Sequence, residues 1–393
     1  MWWISGQAMA TVLTVGAGQA YPTISSAVRA ANPNDTIEVH AGTYDETVEV
    51  DIPLTFEGIG DPVWRDSYRS RPLILHASAT VRGFDFRGTG GFFGAACVRI
   101  ARAAQGPQDG VFLVEDSSFT SCDDGLLMNF YTADVAVRDC TFQSNATGFK
   151  MESAEQVTIE RSTFTSNGYG LYVTDDADLE TRTTVFESNT NGVVFDVGWS
   201  SVGHAKFVDN AFCNQTSGAL SINVTDEPGR VDLVQNLFQG NRSSFGGGAI
   251  DASYFGYYGR PERVMMRVRN NTFVDNRGYG GAHIWASDVN VIFNGNIFAR
   301  GGSATNAVKF RNSHVSGNWN LFFSNTNLSG VSRADFGSDT LWGVDPMWTG
   351  YVADGRCNDD FTPLPGSPLI DAGDPSRTDL DGSRRDIGWT YYP

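Results

Sequence analysis

A short phrase recurs along this chain: Phe, two variable residues, then Asn. It reads Phe142-Gln143-Ser144-Asn145, then Phe164-Thr165-Ser166-Asn167, then Phe186-Glu187-Ser188-Asn189. It returns at 207–210, 238–241 and 273–276, and looser copies start at Phe119, Phe298 and Phe322. From Phe119 to Phe186 the spacings are 23, 22 and 22 residues, and later ones stretch to 35. A unit this short cannot enclose a core of its own, so its copies must stack.

Within each copy, short runs alternate apolar and polar residues, as in Val135-Ala136-Val137-Arg138 and Val157-Thr158-Ile159-Glu160. Period two marks strands, and the Gly, Asn, Asp and Ser between the runs mark turns. Three short strands and three turns per copy describe one rung of a parallel β-helix, stacked on the next at roughly 4.8 Å. Each Phe then stacks on its copy inside the core. Each Asn is expected in a tight turn, in the αL conformation, bonding the neighbouring rung. A helical period appears over residues 23–31, where Ile24, Ala27, Val28 and Ala31 share a face. This predicts an amphipathic helix that plugs the apolar end of the coil.

Composition narrows the function classes. Among 393 residues, 41% are hydrophobic, enough for one long solenoid, and no apolar run reaches the length of a membrane span. The net charge of -17 argues against nucleic acid as a partner. Five Cys, with no zinc-like spacing, admit one disulfide or none. Residues 1–10 read as a leader remnant or cloning scar, 11–345 as the capped β-helix, and 346–393 as a segment closing its last rung.

The stretch Gly16-Ala17-Gly18-Gln19-Ala20-Tyr21-Pro22-Thr23-Ile24, continuing through Asn34-Asp35-Thr36-Ile37-Glu38-Val39 to Ala41-Gly42-Thr43-Tyr44, resembles the opening of the pectate-lyase-like superfamily. Ser367-Pro368-Leu369-Ile370-Asp371-Ala372-Gly373-Asp374, with Asp379-Leu380-Asp381-Gly382 after it, resembles the ending of secreted bacterial members. The resemblance implies an all-β, right-handed, single-stranded parallel β-helix with an N-terminal cap helix, exported or on the cell surface. It implies no single activity, since the superfamily spans lyases, hydrolases, esterases, epimerases and adhesins. The paired-Asp and Gly-His-Gly signatures of its polygalacturonase branch are missing, so no catalytic residue carries over by motif.

The site must therefore be read from the strands. Aligning rungs on the small residue after each Asn turn (Gly125, Gly148, Gly170, Gly192, Ala219, Ala249, Gly281, Ala307) puts Asp196, Asp251, His283, Trp285, Lys309 and Arg311 outward on one sheet face. Insertions beside it carry Tyr254, Tyr257, Tyr258 and Arg260, and also Trp199. Aromatic rings can stack on sugars and Arg can pair with carboxylates, so these residues are expected to line a polysaccharide cleft. For β-elimination on a uronate polymer, Lys309 or His283 would be the base. Arg311, or calcium held by Asp196 and Asp251, would neutralise the substrate carboxylate. Asp251 is catalytic in either a lyase or a hydrolase reading, the latter using Asp196 and Asp251 as an inverting pair. Lys150 with Glu152 reads as a surface ion pair, and the acidic cluster 371–386 as either a calcium loop or an Asp-rich turn. The expectation is a monomeric polysaccharide lyase without an organic cofactor; a non-catalytic adhesion solenoid is the alternative.

Overall fold

The computed structural model describes residues 10–65, 72–89, 96–101, 110–129, 133–152, 156–174, 178–197, 203–224, 229–254, 264–302, 306–325, 327–354 and 357–392. Three long parallel sheets form a coil with thirteen, thirteen and twelve strands. One rung runs through Ala133–Arg138 on the first sheet, Thr141–Gln143 on the second and Thr147–Met151 on the third. The next rung, Gln156–Glu160, Thr163–Thr165 and Tyr169–Thr174, lies directly above it in register.

Stacking brings each residue against its own copy. Phe119, Phe142, Phe164 and Phe186 form one column of parallel rings, with centroids 4.6, 4.6 and 5.0 Å apart. The column continues through Phe212, Phe238, Phe273, Phe298 and Phe322 to Trp342. The rung spacing fixes these distances, which suit ring stacking. The small residue beside each Phe has a steric cause: a Cβ on Gly148 would lie 2.7 Å from the Phe164 ring and 2.6 Å from the Gly170 carbonyl oxygen.

The Asn residues form a ladder inside the turn from the second to the third sheet. Asn145 Oδ1 accepts from the Cys122 N–H at 2.8 Å. The Asn145 N–H donates to Asn167 Oδ1 at 2.9 Å, and its Nδ2 donates to the Phe119 carbonyl at 3.0 Å. Asn167, Asn189, Gln215, Asn241 and Asn276 repeat the arrangement. Each amide thus satisfies backbone groups that the turn would leave buried and unpaired. The αL conformation belongs to the residue before each ladder Asn, as at Ser144 (φ 56°), Ser166 (56°) and Ser188 (55°), and not to the Asn itself.

The phrase at 207–210 belongs elsewhere. Phe207 is on the first sheet, and Asn210 is in a second ladder at the turn from the first sheet to the second. That ladder continues through Asn236, Asn271, Asn296 and Asn320. Phe-x-x-Asn fits both turns, so one phrase reports two different stacks.

The expected helix spans Ile24–Ala30, with Thr23 and Ser26 forming its capping box. It buries Ile24 and Ala27 on the first coil. At the other end a short 3-10 turn, Arg333–Phe336, places Phe336 against Phe293 and Phe322. The segment after 345 runs back along the outside of the second sheet. Its Phe361, Leu369 and Ile387 bury Cys213, Leu237, Val274, Ile297 and Leu321 in a second core. Two disulfides form, Cys97–Cys122 and Cys213–Cys357, where the sequence admits one at most, and Cys140 stays buried and free. The Asp-rich stretch is a turn: Asp379 accepts from the Asp386 N–H and pairs with Arg385, and Asp386 accepts from the Asp371 N–H.

Asn167→Ala removes the acceptor of one buried N–H and a donor to one buried carbonyl. The expected loss is about 2–3 kcal/mol, read as a lower denaturant midpoint. Ser166→Gly, at a position that already has positive φ, should leave the midpoint unchanged or raise it.

Candidate functional site

The outer face of the third sheet carries one unbroken column of side chains. In register they are Leu127, Lys150, Tyr172, Val194, Ser221, Asp251, Trp285, Lys309 and Ser329. A parallel column beside it holds Thr174, Asp196, Asn223, Ser253, Ser287 and Arg311. Asp251, Trp285 and Lys309 therefore share one line, and Arg311 lies in the neighbouring one. Tyr254, also expected in the cleft wall, packs partly buried against the core edge. Trp199, Tyr257, Tyr258 and Arg260 lie outside the described residues.

His283 is a correction. It is fully buried, between Phe273 and Phe298, with ring centroids 6.2 and 5.9 Å away. Backbone pairing places it at the small-residue position of its rung, between Ala249 and Ala307, so Gly281 is the wrong residue to align on. Space for the imidazole comes from the next rung, where Gly301 stands at the ladder position usually held by Asn. A Cβ on Gly301 would lie 3.0 Å from His283 Nε2. His283 Nδ1 meets Asn276 Nδ2 at 3.2 Å and so continues the ladder across the gap. Burial pushes its pKa down to about 3. A neutral, solvent-free imidazole cannot act as base toward a polymer outside the coil.

Asp196 and Asp251 lie two rungs apart and in different columns, with Cα atoms on the order of 12 Å apart by strand spacing and rise. One calcium ion binds oxygens at roughly 2.3–2.6 Å, so this pair does not fit a shared ion. The same offset weakens their reading as an inverting pair.

Asp251 is the more informative of the two. Burial pushes its carboxyl up to about 6. Among the described residues no hydrogen bond or ion pair engages it. Trp285 lies beside it on the next rung, and Gly246 packs directly over it: a Cβ there would overlap Asp251 Oδ2. Gly280 packs in the same way on the Trp285 ring. These glycines belong to two arms, 242–248 and 277–281, that leave the Asn turn and pair with each other through Arg242–Ser243 and Arg277–Gly278. The arm tips expose Phe245 (90%) and Tyr279 (80%). They form a wall along the turn from the second sheet to the third. Gly246-Gly247-Gly248 and Gly280-Gly281 after the ladder Asn are the signal that could have found them.

A second polar centre lies on the same face. Burial raises the Asp124 carboxyl to about 6, against the opposing pull of Lys150 and of a hydrogen bond from Thr147. Lys150 Nζ donates to Glu152 Oε1 at 2.8 Å, which raises its pKa and holds it as a cation. Tyr172 is the next side chain in the Lys150 column, and its ring lies 5.2 Å from that of Tyr169. Burial, then the charge of Asp196, raises the Tyr172 hydroxyl pKa and keeps it protonated. Asp124 sits at the strand corner just before Gly125, where alternation along the strand gives a side chain no direction.

By contrast, a depression of about 330 Å³ on the outer face of the first sheet is lined by polar side chains that partner one another. Asp178 meets His204 at 3.2 Å, Glu180 meets Lys206 at 2.8 Å, and Arg230 meets Asp232 at 2.8 Å.

Residues 73–238 match the family model described as a right-handed β-helix region. A structure of XylC with xylose aligns at TM-score 0.60 and 10% identity, over 88% of this chain and 88% of that one. The pectate lyase Pel9A aligns at TM-score 0.56 and 14% identity, over 99% of this chain and 98% of that one. This chain is a right-handed parallel β-helix protein. No curated protein matches it in sequence. The likeness of this β-helix protein to the solved structures is one of fold, and its resemblance to the pectate-lyase-like superfamily holds at that level. Among the described residues no helix is long and apolar enough to cross a membrane, and no three Asp, Glu, His or Cys side chains converge on a metal-sized site.

The raised Asp251 carboxyl has a consequence for stability. Its folded pKa of about 6 exceeds the ordinary 3.8, so the folded state holds that proton more tightly. The stability this gives is present below pH 3.8 and lost as pH rises through 6. Asp251→Asn should therefore raise stability at pH 7 by roughly 2 kcal/mol and give no gain below pH 4, measured by denaturant titration at both pH values.

Proposed function

We propose that this β-helix protein is an exported polysaccharide lyase that cleaves a uronate-containing polymer by β-elimination, with the polymer lying along the outer face of the third sheet. One observation carries the reading. On that face a carboxyl poised near pH 6, Asp124, feels the charge of an ammonium, Lys150, whose column neighbour is a protonated tyrosine, Tyr172. Two disulfides suit an oxidising, extracellular setting.

β-Elimination needs three things of a protein. A base must take the proton next to the substrate carboxylate, a cation must neutralise that carboxylate as negative charge develops, and the departing oxygen needs a proton. In this reading the Asp124 carboxylate takes the C5 proton, and Lys150, exchanging its Glu152 partner for substrate, holds the uronate carboxylate. The electron pair forms the C4–C5 double bond, the C4–O bond breaks, and the Tyr172 hydroxyl protonates the leaving oxygen.

The Asp251 centre lacks this combination. Burial is the only cause of its raised pKa, and Lys309 lies two rungs away, on the order of 10 Å. Asp251, Trp285, Lys309 and Arg311 are therefore assigned to binding: Trp285 stacks on a sugar, and Lys309 and Arg311 take carboxylates further along the polymer. Neither cation forms an ion pair among the described residues, so both are available.

The test is the ultraviolet absorbance of unsaturated product on pectic, alginate and glycosaminoglycan polymers. Activity should rise with pH through about 6, as Asp124 loses its proton. Asp124→Asn and Lys150→Met should each lower kcat by about 10²-fold or more, while Trp285→Ala should mainly raise KM. If Asp251→Asn abolishes turnover and Asp124→Asn does not, the chemistry belongs to the Asp251 centre. Binding with no product from any polymer would mean a non-catalytic surface solenoid.

A further inference from the structure

On the first sheet of this coil a long run of stacked charges sets opposite against opposite. On the first sheet Glu57, Arg82, Glu115, Arg138, Glu160 and Arg182 alternate in strict register over six rungs. Two like-charge contacts on the coil have polar partners of their own. Arg65 stacks on Arg87, but Asp45 pairs with the first and Asp85 with the second. Glu38 stacks on Glu57; Arg82 pairs with Glu57, and the His40 ring nitrogen lies 2.7 Å from Glu38.

Arg242 and Arg277 break this pattern. They are register partners at the base of the two glycine arms, about one strand spacing apart. Both are exposed, and neither has an ion pair or side-chain hydrogen bond among the described residues. Asp275, the carboxyl that senses Arg277, is hydrogen-bonded to the Tyr351 hydroxyl. Stacked like charges without counter-ions are destabilising, and an anionic ligand would relieve them. The same arms hold Phe245 and Tyr279 out in solvent. Isolated exposed apolar side chains are ordinary, but here two rings sit on consecutive arms beside two unpaired guanidinium groups.

We propose that the paired arms are a glycan-binding surface in their own right, in which Arg242 and Arg277 take two acidic groups of one polysaccharide chain while Phe245 and Tyr279 stack on its sugar rings. Planar guanidinium groups suit two-point pairing with carboxylates. Acidic glycan is favoured over acidic peptide because flat rings are presented together with the charges. The ligand class rests on the uronate reading above, but the binding requires no catalysis by this chain. Since Gly246 and Gly280 pack on Asp251 and Trp285, the surface borders the third-sheet column and could hand a chain into it.

The experiment measures binding of polygalacturonate, its methyl-esterified neutral form and polyglutamate to the full chain at low and high salt. The Asp124→Asn background keeps the polymer intact. Arg242→Ala with Arg277→Ala should weaken polygalacturonate binding about tenfold or more and flatten its salt dependence, leaving the esterified polymer unaffected. Phe245→Ala with Tyr279→Ala should weaken both polysaccharides. All four side chains are exposed, and an unchanged melting temperature would confirm the fold of each variant. Unchanged affinity for polygalacturonate in the double Arg variant would overturn the proposal. So would polyglutamate binding equally well and indifferently to the loss of Phe245 and Tyr279, which would make the arms a protein-docking surface. Failure of the lyase reading shows separately, as absence of product with the wild-type residues, and leaves the binding result standing.

Discussion

The rest of the structure depends on the parallel ladder, which sets every rung about one strand spacing above the last and so brings each side chain against its own copy. Residues that gain from meeting themselves accumulate under that constraint. Phe gains ring stacking, and Asn gains an amide that accepts from one rung while donating to another. Residues that lose by it must alternate, as Glu and Arg do on the first sheet. Gly is kept beside the Phe column because a Cβ would strike the neighbouring ring or carbonyl.

The constraint explains which parts of the molecule were legible in the sequence. Phe142, Phe164 and Phe186 recur because they stack, so the coil could be read directly, and the cap helix followed from Ile24 and Ala27 on one face. Legibility failed where one rung compensates for another. His283 occupies a position otherwise held by Gly or Ala, and only Gly301 in the following rung makes room for it. Periodicity within one rung cannot reveal such an exchange, and aligning on Gly281 turned a core residue outward. Asp124 failed for a different reason: it sits at a corner, where alternation carries no information about direction.

The proposed binding and catalytic centres lie where the stacking rules are broken or a charge is at most partly compensated. Asp251 is a half-buried carboxyl with no counter-ion, beside a Trp and under a glycine arm. Asp124 is held near pH 6 by burial that Lys150 only partly offsets. Arg242 and Arg277 stack charge on charge. The three features lie on or beside the third sheet. The first sheet pairs many of its charges, though Arg269 lies among Arg377, Arg267 and Arg230, and the C-terminal segment covers five of the second sheet's thirteen strands. In the proposed function the third sheet receives the long ligand, and the ladder gives that face a repeat along which a polymer can lie.

The most direct measurement is a crystal structure of the Asp124→Asn variant with an acidic oligosaccharide bound. The account predicts sugars running along the coil axis over Tyr172, Ser221 and Trp285, with one carboxylate at Lys150 and another near Lys309. Sugars bound on the first sheet, or lying across the rungs instead of along them, would contradict it.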